Sequence, residues 1–131
     1  MGLCGIVAHK LGAAKVCLTD GDTDTLDQLR CNVAHNHCDD TVDCPQLIWG
    51  CRLEQTFNVI LGVDIIYVED ILEPLWTTVS ECLELEGTFL LAYACHNVLI
   101  DLVFQMATKF GFVGTSPDDD KGIYCFEQKK E

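Results

Sequence analysis

Hydrophobic residues follow two different spacings along the chain, and the two alternate. Short runs of apolar and β-branched residues predict strands, whereas apolar residues three or four positions apart predict helices. The strand at 57–64 is almost continuously apolar, which predicts that it is covered on both faces. The predicted strands are residues 15–20, 46–49, 57–64 and 88–93.

Turns that contain glycine or proline separate these strands from four predicted helices. Gly21-Asp22-Thr23 is predicted to be a turn that contains the cap of the second helix, and residues 37–45 are predicted to form a polar loop. The chain ends in a predicted β-hairpin within residues 112–131, around a turn-rich segment at 116–122. The predicted helices are residues 2–11, 23–36, 74–86 and 99–110.

This alternation predicts an α/β fold with an open sheet, mostly parallel, and an antiparallel C-terminal hairpin. Ligands bind such sheets beyond the carboxyl ends of the strands. The residues at those ends are Asp20, Trp49-Gly50, Asp64 and Tyr93. Their position predicts a binding region and leaves the ligand open.

The composition is that of one globular domain, predicted to span residues 1–131. The chain is 49% hydrophobic and 22% charged, with a net charge of -13, and its length allows a buried core. The acidic balance argues against nucleic acid as a partner, because phosphate groups require a basic surface. It is compatible with a basic partner, such as a protein surface that presents lysine.

Nine cysteines occur in a sequence without a predicted export signal or membrane span. We therefore expect thiols in a reducing compartment, the cytoplasm or the nucleus. No metal site is predicted, because the potential zinc ligands lack paired spacing and the aspartate run lacks a calcium-loop pattern. Adjacent Cys95 and His96 would leave a strand on opposite faces, which argues against a nucleophilic pair. The potential ligands are Cys31, His35, His37, Cys38, Cys44, Cys51 and Asp118-Asp119-Asp120.

A helix that starts at glycine, followed by a strand that ends in Asp20, suits nucleoside binding, since the carboxylate can accept hydrogen bonds from ribose hydroxyls. Asp20 is followed by four further motifs, the third of which ends in an Asp-x-x-Tyr sequence at 64–67. In this order the motifs closely resemble the seven-β-strand (class I) protein-lysine methyltransferases of methyltransferase family 16, in which a Trp-Gly pair ends the third strand and Asp-x-x-Tyr follows the fourth. The motifs are Gly2-Leu3-Cys4-Gly5-Ile6, Leu18-Thr19-Asp20, Leu29-Arg30-Cys31-Asn32-Val33, Leu47-Ile48-Trp49-Gly50, Phe57-Asn58-Val59-Ile60-Leu61-Gly62-Val63-Asp64-Ile65-Ile66-Tyr67 and Leu91-Ala92-Tyr93.

The resemblance implies a Rossmann-like sheet and methyl transfer from S-adenosylmethionine to a lysine side chain of a protein. It assigns the ribose to Asp20, the adenine to Trp49 and part of the cofactor pocket to Val63. Gly2 corresponds to the last glycine of the loop that wraps the methionine part of the cofactor.

The resemblance also implies that Asp64 and Tyr67 are the catalytic residues, at the methyl-donor end of the site. A carboxylate and a phenol can hold and orient the amine, while the sulfonium charge favours its neutral form. No metal and no strong general base are expected. Structural roles are the alternatives: a turn or helix cap for Asp20, a cap of the following segment for Asp64, a core aromatic for Trp49, and half-buried packing for Tyr67.

The sequence departs from the family pattern at its start. In the family, a strand that ends in Glu-Leu-Gly and a glycine loop precede the first helix, whereas here Met1-Gly2 stands at the end of that loop. We therefore expect an N-terminally truncated chain that lacks the first strand and binds S-adenosylmethionine weakly or not at all. A catalytically impaired, acidic protein-interaction module is the alternative function, and small-molecule methyl acceptors stay open.

Overall fold

Helices and strands alternate through both parts of the chain. The computed structural model describes residues 1–94, 97–118 and 121–130, and it divides into two compact units, Met1–Ile48 and Trp49–Glu131. The α/β class is confirmed. The assignment of residues 1–131 to one domain stays a prediction, and the units are described separately.

The first unit packs two helices with one pair of short parallel strands. Its second helix buries Leu26, Leu29 and Val33, the residues whose spacing predicted it. The core of this unit consists of Ile6, Val16, Val33, Cys38 and Val42. The elements are α1 (Leu3–Lys10), β1 (Val16–Cys17), α2 (Thr23–His35) and β2 (Val42–Asp43).

The predicted strand at 46–49 is wrong. The partner of β1 is β2, inside the segment predicted to be a loop, and residues 46–49 contain only the isolated bridge residues Gln46 and Trp49. Burial explains the difference: Val42 is 6% exposed and pairs with Val16, whereas Ile48 is 60% exposed. A single buried valine among polar residues gives no periodic signal.

The helix cap predicted within residues 21–23 is confirmed, and the capping residue is Asp22. Asp22 accepts hydrogen bonds from the backbone N–H of Thr25 at 2.9 Å and from its hydroxyl at 2.8 Å. These bonds, led by that from the hydroxyl, lower the pKa of the Asp22 carboxyl. The charged carboxylate therefore stabilises the folded state above the pKa it has in the unfolded chain.

Replacing Asp22 with alanine is expected to lower the stability of the chain at neutral pH. The difference from wild type should shrink as pH falls through the lowered Asp22 pKa, because protonation removes the charged acceptor. Urea denaturation at a series of pH values measures this. The control is Asp22→Asn, which keeps a cap acceptor without a titrating charge and should keep most of the stability. A constant difference at all pH values would contradict the charge-dependent cap.

The second unit contains a mixed four-stranded sheet, in the order β3 (Phe57–Val63), β4 (Leu83–Ala92), β6 (Ile123–Gln128) and β5 (Phe112–Asp118). β3 and β4 are parallel, and β6 is antiparallel to both β4 and β5. The predicted C-terminal hairpin, β5–β6, is therefore confirmed. The other elements of this unit are a 3₁₀ turn (Glu69–Ile71), α3 (Leu72–Cys82) and α4 (Ile100–Lys109).

The third helix ends earlier than predicted. α3 stops at Cys82, and β4 begins at once with Leu83 opposite Phe57. The next paired residues are Val59 and Thr88, so residues 84–87 form a bulge in β4. The apolar spacing continues through Leu83, which is why the sequence predicts a longer helix. In the structure the Leu83 side chain packs against the backbone of Gly87 in the bulge. A Cβ added to Gly87 would lie 2.8 Å from Leu83 Cδ1.

One face of the four-stranded sheet carries the core. α3 and α4 cover it, and the fully buried Trp76 contacts Phe89, Phe112 and Phe126 there. Since aromatic rings bury large areas, this cluster contributes strongly to the apolar burial in the unit.

The prediction that the strand at 57–64 is covered on both faces is wrong. Val59, Leu61 and Val63 of β3 are 48%, 46% and 48% exposed, whereas Gly62 on the opposite face is buried. A continuous apolar run contains no alternation that distinguishes the two cases. Within the described residues, no helix is long and apolar enough to cross a membrane.

Candidate functional site

Gly2 and Gly5 allow α1 to lie directly on the strand that leads to Asp20. Gly2 precedes the helix with φ +81°, a left-handed conformation that favours glycine. A Cβ at Gly5 would lie 2.1 Å from Cδ2 of Leu18, and one at Gly2 would lie 3.2 Å from its Cδ1. The two glycines therefore bring the N-terminus of α1 close to the residues before Asp20.

Asp20 follows β1 at the start of the turn into α2. Its Oδ1 accepts a hydrogen bond from the N–H of Asp22 at 3.0 Å, and its carbonyl accepts one from Leu47 at 3.0 Å. The residue thus has the turn role that the sequence offered as an alternative. A carboxylate can accept about four hydrogen bonds, so this contact orients the group without using its full capacity.

The Trp-Gly turn is anchored on α3. The N–H of Gly50 donates to Thr78 Oγ1 and to the Pro74 carbonyl, both at 3.0 Å, and the Thr78 hydroxyl donates to the Cys51 carbonyl at 2.7 Å. Gly50 has φ +95°, which explains the glycine. Trp49 is partly buried and packs against the main core.

Asp64 has a left-handed backbone and a side chain held by the neighbouring strand. Its φ is +48°, uncommon for a residue other than glycine. Its N–H donates to the Ala92 carbonyl at 2.9 Å, and its Oδ1 accepts from the Ala94 N–H at 3.1 Å. The carboxylate is therefore oriented by the end of β4, and it does not cap the segment after it.

The Asp-Ile-Ile-Tyr sequence directs its apolar and polar side chains to opposite sides. Ile66 is fully buried in the core, and Ile65 packs against it. Asp64 is exposed, and Tyr67 is 62% exposed rather than half-buried. The two isoleucines thus fix the turn and leave the carboxylate and the phenol in contact with solvent.

The predicted site residues are distributed over both units. Gly2 and Asp20 lie in the first unit, and the others lie in the second. Val63 ends β3 opposite Ala92 and is directly followed by Asp64. The residues in the second unit are Trp49, Val63, Asp64 and Tyr67.

Two other features contain none of the predicted site residues. A groove of about 290 Å³ in the second unit is lined by residues of α3, α4 and the 3₁₀ turn. The second feature is a pair of thiols: burial raises the pKa of Cys44 and of Cys125, so both are poor nucleophiles at neutral pH. The groove residues are Glu69, Leu72, Leu102, Gln105, Met106 and Lys109.

The described residues contain no group of three or more His, Cys, Asp or Glu side chains placed to hold a metal ion. The Cys95-His96 pair and the aspartates Asp119 and Asp120 lie outside the described residues.

Sequence reasoning missed two groups that build this site. The Ala94 N–H holds Asp64, and Thr78 holds the Trp-Gly turn. A backbone N–H has no sequence signal. Thr78 is a buried polar residue on the apolar face of α3. Because a buried hydroxyl needs a hydrogen-bond partner, a threonine within an apolar stripe is the sequence signal that would have identified it.

Comparisons with known proteins agree with the motif order. The family profile described as lysine methyltransferase, methyltransferase family 16, matches residues 1–109. Protein N-lysine methyltransferase METTL21A of Mus musculus is 38% identical over 137 residues, covering 98% of this chain and 62% of that protein. METTL21A of Xenopus tropicalis is 40% identical over 140 residues, covering 99% and 64%. The chain thus spans less than two thirds of the length of these relatives.

Solved structures show the same fold at low sequence identity. A ribosomal protein L11 methylase from Lactobacillus delbrueckii subsp. bulgaricus superposes with a TM-score of 0.77 and 19% identity, covering 98% of this chain and 65% of that chain. A TehB-like SAM-dependent methyltransferase from Corynebacterium glutamicum has a TM-score of 0.75 and 17% identity, covering 98% and 75%. These likenesses confirm the Rossmann-like methyltransferase fold, and the sequence matches confirm the resemblance. The chain belongs to the lysine methyltransferase family, methyltransferase family 16.

Proposed function

We propose that this protein transfers a methyl group from S-adenosylmethionine to a lysine side chain of a protein. The observation that carries the proposal is the family match together with Asp64, an exposed carboxylate fixed in a left-handed turn at the carboxyl end of β3. Backbone conformations of this kind are concentrated at functional sites. The METTL21A relatives are named as protein N-lysine methyltransferases, which supports a protein substrate.

In the first unit, Asp20 is proposed to accept hydrogen bonds from the ribose hydroxyls. The bond from Asp22 to Oδ1 fixes the carboxylate and leaves acceptor capacity, so the residue fits the role. Gly2 is proposed to lie against the cofactor, because the absence of a side chain and its left-handed backbone suit close approach to a ligand.

In the second unit, Trp49 is proposed to lie against the adenine and Val63 to line the cofactor pocket. Trp49 packs on the core and is only partly buried, so part of its surface is available to a ligand. Val63 is 48% exposed immediately before Asp64. When bound, the cofactor supplies an electrophilic methyl group on a sulfonium.

Asp64 and Tyr67 are proposed to receive the lysine amine. The amine has to be neutral to react, although its pKa in water is about 10.4. The Asp64 carboxylate and the exposed Tyr67 phenol can orient the amine, which provides much of the rate of such a displacement. The carboxylate also stabilises the positive charge that develops on the nitrogen during transfer.

The partner is proposed to be a basic protein surface and not nucleic acid, because the net charge of -13 attracts lysine and repels phosphate. We propose a cytoplasmic location, without membrane association. The exposed Cys4, Cys31 and Cys51 and the buried Cys38 and Cys82 are free thiols, which are stable in a reducing compartment.

A methyl-transfer assay tests the function. The purified chain is incubated with labelled S-adenosylmethionine at increasing concentrations and with methylation-depleted cell lysate, and the labelled proteins are hydrolysed to amino acids. Labelled methyl-lysine that depends on the chain is expected, and its yield should fall with Asp20→Ala. The control is Asp24→Ala, which removes a nearby carboxylate from the first turn of α2.

The acidic interaction module remains the second candidate, favoured by the net charge of -13. If folded chain produces no labelled lysine at any cofactor concentration, yet captures a basic protein in a salt-sensitive manner, the enzymatic proposal fails in favour of this module.

A further inference from the structure

We propose that Tyr93 is a positioning residue that fixes the backbone N–H holding the Asp64 carboxylate. The inference rests on the proposed function, because Asp64 matters through its contact with the substrate amine. Tyr93 itself is buried, with 7% exposure, and acts through the next residue in the chain.

Within the part of the chain that the structure describes, the Asp64 carboxylate is oriented by one peptide group. Its Oδ1 accepts from the Ala94 N–H at 3.1 Å. That N–H lies in the same planar group as the Tyr93 carbonyl. The direction of the bond to Asp64 is therefore determined by how the backbone of Tyr93 is held.

The backbone of Tyr93 is fixed by the C-terminal hairpin. Its N–H donates to the Gly122 carbonyl at 2.8 Å, which extends the pairing of β4 with β6. Gly122 has φ +62°, and a Cβ there would lie 2.7 Å from the Tyr93 carbonyl oxygen. Close packing against glycine thus restrains the peptide group that contains the Ala94 N–H.

The side chain of Tyr93 supplies a second anchor beyond Ala94. Its hydroxyl donates to the Val98 carbonyl and accepts from the Val98 N–H at 3.1 Å. Val98 is 4% exposed, so loss of this hydroxyl would remove a partner from two backbone groups of a buried residue, which is costly. Ala94 therefore lies between two anchors, one at the Tyr93 backbone and one at Val98.

Amide hydrogen exchange, measured by NMR on the full chain, tests the proposal without requiring activity. Tyr93→Phe removes the hydroxyl and keeps the ring. We expect exchange at Val98 and at Ala94 to accelerate about tenfold or more. Asp64→Ala should accelerate exchange at Ala94 alone. Tyr124→Phe, which removes another hydroxyl from the same sheet, is the control and should change neither amide.

Kinetics provide the second readout. In a chain active in methyl transfer, Tyr93→Phe should lower kcat about tenfold with little change in the KM for S-adenosylmethionine. In an Asp64→Ala background, Tyr93→Phe should have no further effect, because the two residues act through one contact.

Faster exchange at Val98 with unchanged exchange at Ala94 would overturn the proposal, since Tyr93 would then anchor Val98 alone. Additive kinetic effects of the two substitutions would overturn it as well. A folded wild-type chain without methyl transfer would contradict the proposed function instead, and the exchange pattern would still decide the role of Tyr93.

Discussion

Replacing Trp76 with alanine is expected to destabilise the chain by about 3–5 kcal/mol, the usual cost of truncating a buried tryptophan. Trp76 has no exposed surface, and its ring lies 4.9 Å from Phe126, 5.1 Å from Phe112 and 5.5 Å from Phe89, measured between centroids. It therefore joins α3 to β4, β5 and β6. Since small domains have about 5–15 kcal/mol of total stability, the variant should lose a large part of its stability.

A conservative substitution separates packing from polarity at this position. Trp76 Nε1 is buried and has no hydrogen-bond partner among the described residues, which carries a desolvation cost of about 1–3 kcal/mol. Trp76→Phe removes this unpaired group while keeping an aromatic ring, so it should cost much less than Trp76→Ala. Urea denaturation monitored by circular dichroism measures both. Equal losses for the two variants would show that the ring contacts are not the source of the stability.

The sequence predicted the parts of the fold that repeat a local signal. Leu26, Leu29 and Val33 recur at helical spacing and are buried in α2 as expected. Asp22 has the side chain of a helix cap and serves as one. In such elements the contact is made by the same side chain whose type and position predicted the element.

The sequence could not predict features that arise from pairing over long distances. The short strand β2 is identified by the pairing of Val42 with Val16 rather than by its own composition. The end of α3 at Cys82 depends on the register of β4 against β3. An apolar run likewise does not reveal which of its faces another element will cover.

The same distinction holds for the candidate site. The Asp-x-x-Tyr motif identified Asp64 and Tyr67, and both are exposed at the end of β3. Their roles and those of Gly2, Asp20 and Val63 stay proposals. What orients Asp64 is the backbone of Ala94, and a backbone group is present at every position, whatever the residue.

Replacing Asp64 with asparagine is expected to lower kcat/KM for methyl transfer about 100-fold, with the fold unchanged. Asparagine tolerates the left-handed φ of +48° and can accept the Ala94 hydrogen bond. It carries no charge, and therefore cannot stabilise the cationic nitrogen that forms during transfer, an electrostatic effect of about this size when one group is removed. Steady-state kinetics on a lysine-bearing acceptor measures the loss, and thermal denaturation verifies the fold.

The matched control is Glu69→Gln, which removes one exposed negative charge from the following 3₁₀ turn and should leave kcat/KM nearly unchanged. Asp64→Ala should lower kcat/KM more than Asp64→Asn does. Alanine has no oxygen to accept the hydrogen bond from the Ala94 N–H, and it adopts the left-handed backbone less readily. An equal loss in the Asp64→Asn and Glu69→Gln variants would mean that overall negative charge, by attracting a basic substrate, explains the effect. A loss confined to Asp64 with an unchanged KM places the carboxylate at the reacting amine, since long-range attraction acts on encounter and not on the bound state.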